Sequence, residues 1–263
     1  MNIDPLFERT HIILKDEGIE RIRNTRIFIA GLGGVGSFAA EAFARVGVGR
    51  LTLADHDVVA PSNLNRQLLA LRGTIGQRKP QVMAARIRDI NPACELTLIE
   101  EFLNPDNIPD HLAGGYDCVV DAIDSLNCKV SLVETAVRLG IPVASSMGAG
   151  GKTDPGRIHV GDLMDSEICP LARNMRKRLR KRGIGRGVLA VWSDEPSRPP
   201  LPPQPTDRGR ARAVNGTVSY MPALFGMMLA GAVIHRLVEP TLPGLKDRTM
   251  AAQAERPPVM DCA

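Results

Sequence analysis

The sequence is poor in cysteine, and its few cysteines are widely spaced. There are five, at positions 94, 118, 128, 169 and 262, and none forms a CxxC pair. Structural zinc sites usually need closely spaced pairs, and disulfide frameworks need an even set. No signal peptide pattern precedes the first strand. We therefore expect a reduced, cytoplasmic protein that holds no zinc.

Aromatic residues are also scarce, at 3%, although 44% of the 263 residues are hydrophobic. The core must therefore rest on Ala, Val, Ile and Leu, which suits parallel strands covered by helices on both faces. The length fits one α/β domain, and no internal repeat is visible. The apolar stretch 222–238 is short for a membrane span. We predict a helix packed on the sheet there, in preference to a membrane anchor.

Positive charge is concentrated in one place. The net charge is only +4, yet residues 173–182 contain seven Lys or Arg and no acid. Such a run is usually a solvated helix face, but it also suits the phosphates of a folded RNA. Both interpretations stay open from composition alone.

The chain is organised around a glycine turn at 31–36, GLGGVG. The apolar run 27–30 enters it directly, and apolar residues at helical spacing follow as far as Val46, with Gly47 to end the helix. A strand, a glycine turn and a helix in this order are typical of a phosphate-binding unit, because the free N–H groups of the helix start can hold an anion.

A second strand at 51–53 leads to Asp55, which follows the turn by about 20 residues, where a dinucleotide fold places its ribose-binding carboxylate. Polar residues then crowd the next segment, and a DAID motif follows at 121–124. These candidate nucleotide-site residues are Asp57, Asn63, Arg66, Gln67 and Lys79. Cations facing phosphate, with a carboxylate able to hold Mg²⁺, indicate phosphate chemistry rather than hydride transfer. Asp57 and Asp121 could equally be ordinary hydrogen-bond acceptors.

The predicted fold is a Rossmann-like, doubly wound, mostly parallel α/β sheet with helices on both faces, in one domain over residues 1–238. The segment 196–205 contains six prolines and an Arg-rich run follows it. We therefore predict that 194–212 is a disordered loop with no packed element. A disordered tail is predicted over 239–263.

The motifs GLGGVG (31–36), LADHD (53–57), SNLNRQ (62–67), GQRK (ending at Lys79) and DAIDS (121–125) together resemble the ubiquitin-activating-type adenylyltransferase superfamily. Within it, the runs at 121–129, 148–163 and 169–181 resemble the tRNA threonylcarbamoyladenosine dehydratases. That resemblance implies ATP-dependent cyclisation of a threonylcarbamoyl group on tRNA, through adenylation of its carboxylate.

The resemblance also implies roles for individual residues. The phosphates would lie on Gly31, Gly33, Gly34 and Gly36, and the ribose on Asp55. Asn63, Arg66 and Lys79 would meet the reacting phosphates, and Asp124 would hold Mg²⁺. Arg9 resembles an arginine that crosses to the neighbouring subunit's ATP, which implies a homodimer. The basic run, through Arg173, Arg176, Lys177 and Arg180, would bind tRNA; no DNA partner is expected, and docking of an accessory sulfur-transfer protein stays open.

Two departures and two alternatives accompany this prediction. Leu6 stands where relatives often carry a second arginine, and Ala190 lies where some dehydratases carry a cysteine, so no thiol chemistry is inferred there. An adenylyltransferase for a ubiquitin-like sulfur carrier would use the same ATP site. A nucleotide-binding regulator without catalysis would keep the glycines and Asp55 but could lose Arg66, Lys79 or Asp124.

Overall fold

The computed structural model describes residues 4–204 and 212–239. Its centre is a seven-stranded sheet in the order β3-β2-β1-β4-β5-β7-β6, in which every pairing is parallel except that of β6 with β7. The strands are β1 Arg26–Ala30, β2 Arg50–Ala54, β3 Glu95–Ile99, β4 Cys118–Asp121, β5 Val143–Ser146, β6 Ile158–Asp162 and β7 Leu189–Ser193. The predicted mostly parallel, Rossmann-like sheet is therefore confirmed.

Helices cover both faces of the sheet. They are α1 Glu8–Asn24, α2 Gly36–Val46, α3 Lys79–Ile90, α4 Ile108–Leu112, α5 Leu126–Arg138, α6 Pro170–Arg180 and α7 Tyr220–Val238. One core cluster joins α1, α2, α3 and α7 to the sheet, and a second joins α4, α5 and α6 to it. Both clusters are mainly aliphatic, as the low aromatic content predicts.

The final helix, α7, packs against α2 and the sheet. Phe225, Leu229 and Ala230 are fully buried there. Gly226 allows the close approach, because a Cβ at that position would overlap the carbonyl oxygen of Val35. Among the described helices, α7 is the one whose length and mean hydropathy, 1.6, would suffice for a membrane span, and 44% of that apolar window is buried. The predicted packed helix is confirmed, and its proline, Pro222, lies in the first turn, where proline is tolerated.

The prediction of no packed element over 194–212 is wrong for part of that range. Strand β8, Leu201–Gln204, pairs antiparallel with β9, Arg212–Val214, in a separate two-stranded sheet. Proline is compatible with such a pair, because each strand has an edge that needs no N–H donor. Residues 205–211, and the predicted tail beyond Glu239, lie outside the described residues.

Candidate active site

The candidate site lies where the direction of strand order reverses. β1 is flanked by β2 on one side and by β4 on the other, and ligands of doubly wound sheets bind outside the carboxyl ends of the strands at this point. The turns after β1 and β4 meet there. Gly31 has φ +87°, and a Cβ on it would lie 2.8 Å from the carbonyl oxygen of Ala122. Glycine therefore brings the predicted phosphate turn against the segment that carries Asp124.

Two glycines of the turn have different surroundings. A Cβ at Gly36 would overlap the carbonyl oxygen of Gly31, so the turn cannot close with another residue at that position. At Gly33 the nearest atom to an added Cβ is Gln67 Nε2, at 3.8 Å. Gly36 is therefore required by the fold, whereas a Cβ at Gly33 would make only an ordinary contact, so the fold does not require glycine there and a phosphate could approach the backbone at the start of α2.

Ser37, which was not among the residues predicted from the sequence, fixes the neighbouring polar segment to this turn. Its Oγ donates to Gly33 O at 2.6 Å and accepts from Leu68 N at 3.2 Å, and the side chain is fully buried. The sequence signal that could have identified Ser37 is a serine in the first turn of the helix that follows the glycine turn. Through Ser37, residues 63–68 are held beside the glycine turn.

Asp55, Asp57 and Lys79 form one charged cluster under the turn. Lys79 Nζ lies 2.8 Å from Asp57 Oδ2 and 3.9 Å from Asp55 Oδ2, and its side chain is only 5% exposed. Asp55 Oδ2 also accepts from Leu32 N at 2.7 Å. Asp55, His56 and Asp57 could together ligate a metal by their spacing. The ammonium of Lys79 already occupies that cluster, so it does not suit Mg²⁺.

Three predicted residues lie together in the segment after β2. Asn63 is buried, and its Oδ1 accepts from Ala60 N at 3.0 Å. Arg66 is half-buried, and its Nη1 donates to Ser62 O at 2.8 Å. Gln67 is 8% exposed, and its Oε1 is buried without a hydrogen-bond partner among the described residues.

These observations fit ATP. The glycine turn leaves space for phosphate, Lys79 and Arg66 supply positive charge beside it, and Gln67 holds a buried acceptor that a ligand hydroxyl or amino group would satisfy. A buried polar atom without a partner is costly, so such an atom at a candidate site indicates a ligand contact. The residues predicted from the sequence as a nucleotide site are thus brought to one edge of the sheet.

Asp121 is a buried hydrogen-bond acceptor, one of the two roles that its sequence left open. Its Oδ2 lies 2.8 Å from Lys129 Nζ and accepts from Ser145 Oγ at 2.6 Å; neither ion is exposed. Lys129 Nζ also donates to Ile123 O at 3.1 Å. This ion pair, which was not predicted from the sequence, fixes the turn after β4. Asp124 is exposed at the end of that turn.

The structure does not bring Arg9 to this cluster within one chain. Arg9 is exposed in the first turn of α1, beside Val46 at the end of α2. The glycine turn lies at the other end of α2, whose 11 residues span about 16 Å. A contact between Arg9 and a nucleotide therefore requires a second copy of the chain.

The basic helix α6 presents three cations on one face. Arg173, Lys177 and Arg180 are exposed at i, i+4 and i+7, and their side chains make no hydrogen bond or ion pair with any residue in 4–204 or 212–239. Arg176, also predicted to bind tRNA, is half-buried and donates to Ser166 O and Oγ. Arg178 donates to Asn127 Oδ1, in the first turn of α5 after Asp124. The helix therefore flanks the candidate site.

The described cysteines, Cys94, Cys118, Cys128 and Cys169, are all free and buried. Burial raises the pKa of Cys94 to about 11 and that of Cys118 to about 12. A thiol needs its thiolate form to act as a nucleophile. Cys94 and Cys118 therefore stay protonated at neutral pH, in agreement with a site built from glycines, cations and carboxylates.

Comparison with known proteins gives a consistent result. The ThiF family model matches residues 7–261. The tRNA threonylcarbamoyladenosine dehydratase of Bacillus subtilis is 38% identical over 240 residues, covering 89% of this chain and 94% of that protein. The structure of E. coli tRNA N6-threonylcarbamoyladenosine dehydratase, TcdA, in complex with ATP superposes with a TM-score of 0.79 at 34% identity, covering 95% of this chain and 96% of that one. The E. coli sulfur carrier protein ThiS adenylyltransferase is 36% identical, but over only 54% of this chain and 58% of that protein.

Proposed function

The chain belongs to the ThiF family, and from this premise we propose that it is an ATP-dependent tRNA threonylcarbamoyladenosine dehydratase. The observation that carries the proposal is the similarity to dehydratases over almost the whole length of both chains. Further support for an ATP site comes from the glycine turn, Lys79, Arg66 and Gln67, whose buried Oε1 has no hydrogen-bond partner among the described residues. The similarity covers 94% of the Bacillus subtilis dehydratase but only 58% of the ThiS adenylyltransferase, which favours the tRNA substrate over a sulfur carrier.

The reaction has two steps. A carboxylate oxygen of the threonyl group attacks the α-phosphorus of ATP, and pyrophosphate leaves. The neighbouring carbamoyl group then attacks the activated carbonyl carbon, loses a proton, and expels AMP with one former carboxylate oxygen. The modified nucleoside has lost one water, whose oxygen remains on AMP.

The chain's own residues lower the barrier by holding charge in place. An anion that approaches a triphosphate is repelled, so cations fixed near the phosphates favour the transition state. Arg66 is held by carbonyl and amide oxygens, and Lys79 is buried beside Asp57. Asp124, exposed on the turn beside Gly31, is the residue that we propose to hold Mg²⁺. The ion would neutralise charge on the phosphates when bound.

We further propose that the exposed face of α6 binds tRNA. Its support is the stripe of Arg173, Lys177 and Arg180, three cations without described partners beside the candidate site. Charge reversal of Lys177 and Arg180 should weaken tRNA binding and reduce its salt slope by about one for each phosphate that is no longer bound. ATP affinity should not change. If the variant binds tRNA as tightly as wild type, the exposed face of α6 is an ordinary solvated surface and not a tRNA-binding one.

A homodimer is proposed from the surface around Arg9. Ile12 and Ile13 on α1 are 62% and 69% exposed, and this apolar surface suits a second copy that would receive Arg9 at its ATP site. Ile13→Glu should convert a dimer to monomers and reduce turnover. Leu139→Glu, at a leucine 51% exposed at the end of α5, is the matched control. A wild-type chain that sediments as a monomer would contradict the dimer.

We propose that the protein is cytoplasmic. The support is that all four described cysteines are free and buried, as is usual in a reducing compartment. Cell fractionation would test this location, and recovery of the chain in washed membranes would contradict it.

The decisive experiment combines purified protein, ATP, Mg²⁺ and tRNA that carries threonylcarbamoyladenosine. The digested tRNA is analysed by mass spectrometry for a nucleoside lighter by one water. Arg66→Ala and Asp124→Ala should each reduce its formation about a hundredfold, the scale of one electrostatic contact in a transition state. Arg72→Ala, at an exposed arginine in a neighbouring loop, is the matched control. If no lighter nucleoside forms, but pyrophosphate exchange is detected when a sulfur-carrier protein is added, the alternative function is favoured.

A further inference from the structure

The segment that joins β7 to α7, residues 194–219, is called here the crossover segment. Both described ends of it are bound to the loop after β5. Arg198 N donates to Gly151 O at 2.8 Å, and Gly151 N donates to Gly216 O at 2.8 Å. One residue of the loop thus ties together two parts of the crossover segment that lie 18 positions apart in the sequence.

Charged side chains strengthen this attachment. The carboxylate of Glu195 accepts from Thr153 N at 2.8 Å and from Asp154 N at 2.9 Å. In the opposite direction, Lys152 Nζ donates to Ser193 O at 3.2 Å and to Glu195 O. Lys152 is only 2% exposed. The start of the crossover segment is therefore fixed to the loop after β5.

The other end of the segment reaches the nucleotide side. Thr217 O accepts from Asn65 Nδ2 at 3.0 Å, and Oδ1 of the same amide accepts from Arg66 Nη1 at 2.9 Å. A carbonyl can only accept and a guanidinium can only donate, so the side chain between them must do both. Asn65 meets that requirement with one amide group.

We propose that Asn65 is a positioning residue that couples Arg66 to the crossover segment. When the crossover segment is bound both to the loop after β5 and to Asn65, the guanidinium of Arg66 is aligned with the reacting phosphates. This inference rests on the proposed adenylation and on the proposed role of Arg66 in it. A long guanidinium side chain has many rotamers, and a misplacement of about 1 Å can cost a hundredfold in rate. The coupling therefore acts on turnover rather than on ATP binding.

The test is a double-mutant cycle between Asn65→Leu and Glu195→Ala. The first change removes both hydrogen bonds of the amide at nearly constant volume, and the second releases the start of the crossover segment without touching Arg66. We expect each to lower kcat for dehydration about tenfold, with the KM for ATP within about twofold of wild type. The double variant should be no slower than the slower single variant, because residues in one chain of contacts are not additive.

Gln77→Ala is the matched control, because Gln77 is an exposed amide that donates to Gly73 O at 2.9 Å, and its hydrogen bonds among the described residues involve neither Arg66 nor the crossover segment. It should keep wild-type kcat. A wild-type kcat in Asn65→Leu would overturn the positioning role, and multiplied effects in the double variant would overturn the coupling. A wild-type protein that forms no dehydrated nucleoside would instead refute the proposed function.

A second measurement needs no turnover. If Asn65 ties the crossover segment down, Asn65→Leu should speed hydrogen exchange at the amides of Gly151 and Arg198, whose hydrogen bonds hold the segment to the loop. Exchange in α3 should be unchanged. Equal protection of both amides in Asn65→Leu and wild type would also overturn the coupling.

Discussion

Replacing Lys129 with methionine tests the ion pair that supports the turn after β4. Lys129 Nζ and Asp121 Oδ2 lie 2.8 Å apart, and neither side chain is exposed to solvent. Methionine fills a similar volume without charge, so the change leaves the carboxylate of Asp121 buried without its cation. The backbone N–H of Ile123 and the hydroxyl of Ser145 remain as its partners.

The expected cost follows from these contacts. Removing one partner of a buried ion pair usually costs about 3–5 kcal/mol. Because Ser145 and Ile123 still donate to Asp121, we expect the lower end, about 3 kcal/mol. For a chain of this size 1 kcal/mol shifts Tm by about 2–4 °C, so Lys129→Met should lower Tm by roughly 6–12 °C. Adding Asp121→Asn removes the uncompensated charge and should restore at least half of the loss.

Urea and thermal unfolding, followed by circular dichroism, measure both effects. Arg138→Met is the matched control, because Arg138 also faces a carboxylate, that of Glu134 at 3.0 Å, but its side chain is 62% exposed. Such surface pairs contribute less than about 1 kcal/mol. A cost for Lys129→Met as small as that of Arg138→Met would refute the reasoning. So would a double variant that is no more stable than the single one.

Three further predictions concern the glycine turn, Gln67 and the thiols. Gly33→Ala should keep its Tm within about 2 °C of wild type but lose ATP affinity measured by titration calorimetry, because only the ligand needs that space; Gly36→Ala should destabilise the fold, and equal Tm values for the two variants would contradict this. Without ATP, Gln67→Leu should be at least as stable as wild type, because an unsatisfied buried acceptor costs about 1–3 kcal/mol. The variant should bind ATP more weakly, and an unchanged affinity would show that Gln67 does not contact ATP. At pH 8, Cys118 with a pKa of about 12 should alkylate roughly a thousandfold more slowly in the native state than when unfolded; peptide mapping after iodoacetamide treatment measures this, and rapid native labelling would contradict it.

Local patterns were sufficient to predict the sheet and the glycine turn. The apolar run 27–30, the turn and the helical spacing up to Val46 all lie within 20 residues, so their structure depends on neighbouring residues. The parallel strands needed only their apolar composition and length. The candidate site residues Asp55, Arg66 and Lys79 were predicted because they follow this unit at workable spacing.

Contacts between distant segments could not be predicted in the same way. Asn65 looks like an ordinary loop amide until Thr217, 152 positions later, is brought to it. Lys152 lies in a glycine-rich stretch whose composition predicts a flexible turn, yet its ammonium binds the carbonyl oxygens of Ser193, the last residue of β7, and of Glu195. The proline-rich segment was wrongly predicted for a different reason, since composition does not distinguish an edge strand from a disordered loop.

The two cations of the site are held by different kinds of partner, and this difference bears on their roles. Lys79 is paired with the carboxylate of Asp57, so part of its charge is already compensated before a ligand enters. The described partners of Arg66 are neutral oxygens, from Ser62 and Asn65. They fix the guanidinium without cancelling its charge, and oriented charge of this kind stabilises a transition state without further reorganisation. We therefore propose that Arg66 is the cation whose full charge acts on the reacting phosphates, while Lys79 also holds the carboxylates of Asp55 and Asp57 beside the turn.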